Sequence, residues 1–293
     1  MNRKYMIVCV AGQSNAVGYD ESPVTKENEA GMDNPRIRQL GLYGEENLHV
    51  IPLGTCAQSY QDMRPFGNPQ NPGVGTKGIH LPLARRLLDL IPEDYGLLMI
   101  SCAYGGSGFT VGEYGPYDEN ALAPVPGVWR WGVSSNYYRG MKERIAYALD
   151  LNPGNRFLGV VWCQGEHDSG DAVGQKAGFE AMTQDFFAHF KKHYPGRVHS
   201  GDWDKGIWYA YETVSYWYTQ GECAKIWETY RSWNPDTYVE IPHETDSNET
   251  NGTGITARIR VAHFGNDAFE RVIAPRVAQC MAGRLKGKAG EPT

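Results

Sequence analysis

Four groups of residues in this chain have the types that acyl transfer uses. Gly12-Gln13-Ser14-Asn15 follows one apolar run and Gly105-Gly106-Ser107 follows a second. Trp162-Cys163-Gln164-Gly165-Glu166-His167-Asp168 closes a third, and Ala262-His263-Phe264 stands ahead of a long amphipathic stretch. A serine hydroxyl is inert without a base beside it, and histidine suits the task because its pKa lies near neutral pH. The oxyanion formed on attack needs N–H donors already in place. Ser14 is the candidate nucleophile and His263 the candidate base. The amide N–H of Ser14, a glycine N–H at 105 or 106 and the Gln164 side-chain amide are the candidate donors. Glycine at 105 and 106 would let a substrate approach the backbone closely.

Taken singly, each of these residues has an ordinary structural use. Serine caps turns, paired glycines make loops, histidines cap helices, and glutamine satisfies backbone groups. Their joint placement after successive apolar runs is what points to chemistry. Other motifs fail on residue order. A G-x-S-x-G elbow needs glycine where Ala16 stands, and "GVGTKG" at 73–78 lacks the phosphate-loop order. Glu166-His167-Asp168 offers metal-ligating types, but adjacent residues rarely face one ion and no second ligand cluster is visible, so no metal or other cofactor is expected.

These residues need elements to position them. Runs rich in β-branched and apolar residues predict strands over 5–10, 96–103, 157–162, 207–212 and 237–241. Helical spacing predicts helices over 81–91, 136–149, 176–193, 222–233 and 264–285. Strands alternating with helices predict an α/β fold, a mostly parallel sheet with helices on both faces. In such sheets ligands bind beyond the carboxyl ends of the strands, which is where all four groups fall. The stretches 19–80 and 107–133 are rich in Gly, Pro and Asn and read as long, functional loops. With no composition break or repeat, residues 1–285 read as one domain and 286–293 as a polar tail.

Composition narrows the partners. The 293 residues carry 28 basic and 34 acidic side chains, a net charge of −6. That argues against nucleic acid or an anionic membrane surface as partner. The 8 Trp and 18 Tyr suit sugar-facing clefts, although core packing is their usual use. No apolar run is long enough to span a membrane, and "MNRKYMIVCVAG" reads as a first strand rather than a signal peptide, favouring the cytoplasm. The six cysteines show no C-x-x-C spacing and read as free thiols. N-x-T sites at Asn248 and Asn251 would matter only in a eukaryotic secretory pathway.

The motif set resembles the SGNH-type hydrolases, and within them the carbohydrate O-acetylesterases that include bacterial sialate O-acetylesterases. Gly12-Gln13-Ser14-Asn15 and the Trp162-x-Gln164-Gly165-Glu166-x-Asp168 block carry most of the likeness, which extends to Arg130-Trp131-Gly132-Val133 and runs from residue 5 to about 285. The resemblance implies a three-layer α/β/α sandwich of flavodoxin-like type. It implies Ser14 as nucleophile and His263 as base, with Ser14, Gly106 and Gln164 forming the oxyanion hole. Gly105, Asn15 and Glu166 would support them. One position departs from many SGNH enzymes, which place an aspartate three residues before the histidine; here it is Arg260. The resemblance therefore implies a Ser–His dyad, its imidazole oriented by a backbone carbonyl or by Glu166. A sialic acid substrate would bring a carboxylate, for which Arg130 and Arg260 are the candidate partners. Another acetylated carbohydrate, such as xylan or a surface polysaccharide, is the alternative substrate. A binding protein that keeps the fold without turnover is the alternative of another class. The sequence leaves oligomeric state open.

Overall fold

The apolar run that opens the chain becomes the middle of a sheet. Strand β1 (Lys4–Gly12) is buried from Met6 onward on both of its faces, so it needs cover above and below. It pairs in parallel with β4 (Tyr95–Ala103) on one side and β5 (Arg156–Cys163) on the other. The computed structural model describes residues 3–19, 25–42, 44–53, 77–110, 130–245, 247, 260–265 and 267–286. Beyond β4 lie β2 (Ile37–Leu40) and β3 (Val50–Pro52), and beyond β5 lie β6 (Trp208–Tyr211) and β7 (Tyr238–Val239). Their order is β3-β2-β4-β1-β5-β6-β7, all parallel except β3, which runs antiparallel along β2. Leaving aside the β2–β3 edge, the other five strands run β4-β1-β5-β6-β7, which is the flavodoxin-like order with the first strand second in the sheet. The mostly parallel sheet with flanking helices is the architecture expected. The chain passes from β4 on one side of β1 to β5 on the other, so the switch point of the sheet is the end of β1.

Among the described residues the α-helices are α1 (Ser14–Val17), α2 (Lys26–Glu29), α3 (His80–Leu88), α4 (Asn136–Asp150), α5 (Ala172–His193), α6 (Ser215–Tyr218), α7 (Cys223–Trp233) and α8 (Ala274–Lys286). Ser135 caps α4 by accepting from Tyr138 N–H, and Asp171 caps α5 by accepting from Gly174 N–H. The sequence reading of 264–285 as one helix is corrected in its first half: Ala268–Ile273 forms a π turn before α8 begins. That turn buries Glu270, whose carboxylate is gripped by Arg85 and faced by Arg86 at 3.8 Å, both on α3. A buried carboxylate needs such partners, and this one ties the segment after His263 to the far helix.

Residues 37–40 and 50–52, read as part of a long loop, form the β2 and β3 edge. Four residues are a short strand whose apolar pattern is easily lost among polar neighbours. The aromatic side chains serve mainly the core: Trp131, Trp162, Trp203, Trp208 and Trp227 are all buried. Cys9, Cys102, Cys163, Cys223 and Cys280 are free thiols. Burial pushes the Cys9 and Cys163 thiols well above the usual range. Cys56, Asn248, Asn251, the segment 73–76 and the tail from 287 lie outside the described residues.

Candidate active site

The first motif places its four residues by four different means. Gly12 has φ 130°, and a Cβ there would stand 2.0 Å from the Cys163 carbonyl oxygen, so only glycine lets β1 turn this close to β5. Gln13 donates its N–H to Cys163 O at 2.8 Å, and its side-chain oxygen accepts from the N–H groups of Gly165 and His167. Ser14 opens α1 and is half-buried, its side chain engaged by no other described residue. Asn15 is buried, and its side chain reaches the loop that carries His263.

The glycine turn after β4 is fastened to the same place. Tyr104 N–H donates to Gly12 O at 3.0 Å, Ser107 Oγ donates to Gly12 O at 3.2 Å, and Trp131 Nε1 donates to Ser107 Oγ at 2.9 Å. Among the described residues no acceptor meets the N–H groups of Ser14, Gly105 or Gly106. Backbone donors left open at a strand edge are the raw material of an oxyanion hole. Gly105 also lies against Tyr19, whose hydroxyl would stand 2.7 Å from a Cβ there and would have to give way.

Gln164 is placed differently from the expectation. Its side chain is wholly enclosed, and its Nε2 donates to Asp168 and, at 3.4 Å, to Ser107 O. Its Oε1 accepts from Gln175 Nε2 and Tyr230 OH, both at 3.2 Å. A carboxamide has two N–H groups, and both are directed at the protein's own acceptors rather than at open space. Asp168 emerges as the hub of this loop. It accepts from Phe109 N–H, Thr110 N–H and the Thr110 hydroxyl as well as from Gln164.

His263 is brought to the same edge by its neighbours in sequence. Asn15 Nδ2 donates to Ala262 O at 3.1 Å, and Asn15 Oδ1 accepts from Phe264 N–H at 3.1 Å. Trp217 Nε1 adds a second donor to Ala262 O at 2.9 Å. The imidazole stacks on the Tyr19 ring with centroids 4.9 Å apart. No hydrogen bond joins Ser14 Oγ to His263 in this structure; catalytic contacts of this kind often close only around substrate. Behind Asn15, the Glu166 carboxylate accepts from Asn15 Nδ2 at 2.9 Å and from Thr213 Oγ1 at 2.7 Å. Burial holds the Glu166 carboxyl above its usual range, and those two bonds offset only part of that rise. Tyr211, its phenol pushed far up by burial and so protonated, donates to Asn15 O at 2.8 Å.

Arg130 is also at this edge. It bridges to Gly108 and is buried, with Asp168 near enough for its charge to favour the guanidinium form against desolvation. Arg260 begins the 3-10 turn Arg260–Ala262 that leads into His263. Sequence reasoning missed Tyr19, Asp168, Thr213 and Trp217. Asp168 was visible as the last letter of its motif, whereas Thr213 and Trp217 lay in a stretch near 207–217 that shared the family resemblance without a role for either, and nothing marked Tyr19.

Comparisons with known proteins define the family of the chain. The chain matches no family model. It is 34% identical over 228 residues to a probable 9-O-acetyl-N-acetylneuraminic acid deacetylase of Escherichia coli, a match covering 73% of this chain and 68% of the relative. The structure of NanS superposes with a TM-score of 0.79 at 28% identity, over 96% of this chain and 97% of that one. A carbohydrate acetylesterase from Xanthomonas citri shares the fold at a TM-score of 0.52 and 15% identity, over 97% of this chain and 57% of that one. The chain is a carboxylic ester hydrolase. Within that class it belongs to the sialate O-acetylesterase-like family.

Proposed function

We propose that the protein removes O-acetyl groups from a sialic acid through an acetyl-enzyme, with Ser14 as nucleophile and His263 as its base. The observation that carries this reading is the meeting of the Ser14 turn and the His263 loop at one sheet edge, joined through Asn15. Ser14 Oγ attacks the acetyl carbonyl carbon while His263 takes the hydroxyl proton. The oxyanion settles among the N–H groups of Ser14, Gly105 and Gly106, which have no other acceptor among the described residues. Collapse expels the sugar oxygen, which takes the proton back from His263. Water then enters, gives a proton to His263 and hydrolyses the acetyl-Ser14 ester, returning the free serine and acetate. The sialic acid assignment rests on likeness to the deacetylase relative.

The test is acetate release from O-acetylated sialic acids and from acetylated xylan oligomers, with Ser14→Ala beside the wild type. The expected result is preference for the sialic acids and a loss of about 10³-fold or more in Ser14→Ala. Preference for xylan would move the substrate to another carbohydrate. A Ser14→Ala protein within about tenfold of wild type would end the nucleophile assignment. Among the described residues no helix is long and apolar enough to cross a membrane.

A further inference from the structure

The reading above needs His263 to be held in a fixed position beside Ser14. We propose that Asn15 is this positioning residue: its carboxamide brackets His263 from both sides and so sets the base relative to the adjacent Ser14. The inference rests on the esterase reading and names a device within it.

The geometry is unusually complete. The carboxamide donates to the carbonyl of the residue before His263 and accepts from the N–H of the residue after it, each at 3.1 Å. A two-point grip on both flanking peptides fixes the position of the Cα between them and limits rotation of the backbone there. The partners lie 249 positions apart in sequence, so no local turn supplies this constraint. Asn15 itself is prevented from moving. Glu166 Oε1 and Thr213 Oγ1 lie at 2.9 and 3.2 Å from its Nδ2, and Tyr211 OH holds its carbonyl at 2.8 Å. Glu166 Oε1 in turn accepts from Thr213 at 2.7 Å, closing a small ring of polar groups buried behind the base. Glu166 thus orients the side chain that orients the loop. Asparagine suits the task because it alone among short side chains offers a donor and an acceptor on the same rigid plane. Ser14 directly precedes Asn15 in the chain, so the nucleophile and the base share one fixed reference.

The experiment is a double-mutant cycle on a simple acetyl ester, measuring kcat and KM for wild type, Asn15→Ala, His263→Ala and the pair. His263→Ala should keep a measurable residual rate because backbone donors and binding remain. Misplacing the base by about 1 Å is expected to cost Asn15→Ala about 10²-fold in kcat with KM within about threefold. If Asn15 acts through His263, the same substitution in the His263→Ala background changes the residual rate by less than about twofold. An equal loss in both backgrounds, or a wild-type kcat in Asn15→Ala, overturns the proposal. A wild-type rate in His263→Ala is a different outcome: it removes the base assignment itself. Should Asn15→Ala not fold, Thr213→Val carries the test. It removes one hydroxyl from the ring and is expected to lower kcat about threefold to tenfold, again only when His263 is present. Thr213→Val with unchanged kcat, or with the same loss in both backgrounds, overturns the proposal equally.

Discussion

Replacing Asp168 by alanine tests whether the loop bearing Gly105 and Gly106 is held from behind by one carboxylate. The side chain is fully buried and accepts from Phe109 N–H at 2.9 and 3.0 Å, Thr110 N–H at 2.8 Å, the Thr110 hydroxyl at 2.8 Å and Gln164 Nε2. A hydrogen bond to a charged acceptor contributes about 1.5–3 kcal/mol net. Adding four such values overstates the loss, because the bonds share one group and water enters the vacated space. Arg130 lies in the field of the same carboxylate and would lose its nearby counter-charge. Breaking a buried charged partnership costs about 3–5 kcal/mol, and we take that range as the magnitude here. For a chain of this size about 1 kcal/mol moves Tm by roughly 2 °C, so calorimetry should show a drop of about 6–10 °C. Asp168→Asn keeps an oxygen for Phe109 and Thr110 but sets an N–H₂ against Gln164, and should lose about half as much. A drop below about 2 °C in Asp168→Ala would refute the argument that this carboxylate anchors the loop.

Three other outcomes follow from the same structure. Gln164→Ala should destabilise the fold by about 1–3 kcal/mol, since Asp168, Gln175 and Tyr230 all lose a partner; a kcat loss of about 10²-fold or more at unchanged Tm would restore it to the oxyanion hole. Arg130→Ala should lower activity alike on an O-acetylated sialic acid and on a neutral acetyl ester, because its burial beside Asp168 makes it part of the loop's support. A loss confined to the sialic acid would make Arg130 the carboxylate clamp. Burial lowers the pKa of His80 to about 3, so the folded state refuses a proton that the unfolded chain accepts near 6.5. The stability this protects is present above pH 6.5 and is lost as pH falls toward the folded value, by about 1.4 kcal/mol per pH unit. Denaturant titrations of wild type and His80→Leu between pH 7 and 4 should diverge in slope by that amount; parallel curves would rule it out.

The central strands and the long helices were legible because each is an unbroken pattern. Residues 96–103 and 157–162 are apolar runs bounded by turns, and 136–149 has helical spacing behind a serine cap. The β2–β3 edge was not legible, because three or four residues carry too little periodicity to stand out from a polar stretch. The π turn at 268–273 was hidden for another reason. Six residues are too few for a sequence pattern to tell i→i+5 from i→i+4 bonding, and the helix resumes behind it. At the site, Ser14, Asn15, Gly105 and His263 could be picked out by residue type and strand-end position. What Asn15 and Gln164 do could not, because a carboxamide is defined by its partners. Gln164 faces Asp168, four residues on, and Asn15 faces residues from the other end of the chain.

The position of β1 in the sheet also governs how the protein is made. Lys4 pairs with Tyr95 and Met6 with Arg156, so both neighbours of the first strand are translated long after it. At about 5–20 residues per second, a nascent chain carries Tyr-Met-Ile-Val-Cys-Val for about 5–20 s before β4 exists to receive it. During that time the segment is an apolar β-former with both edges open, the kind of sequence that seeks strangers when it lacks its own partner. A chaperone that covers the segment over that interval therefore bears directly on yield.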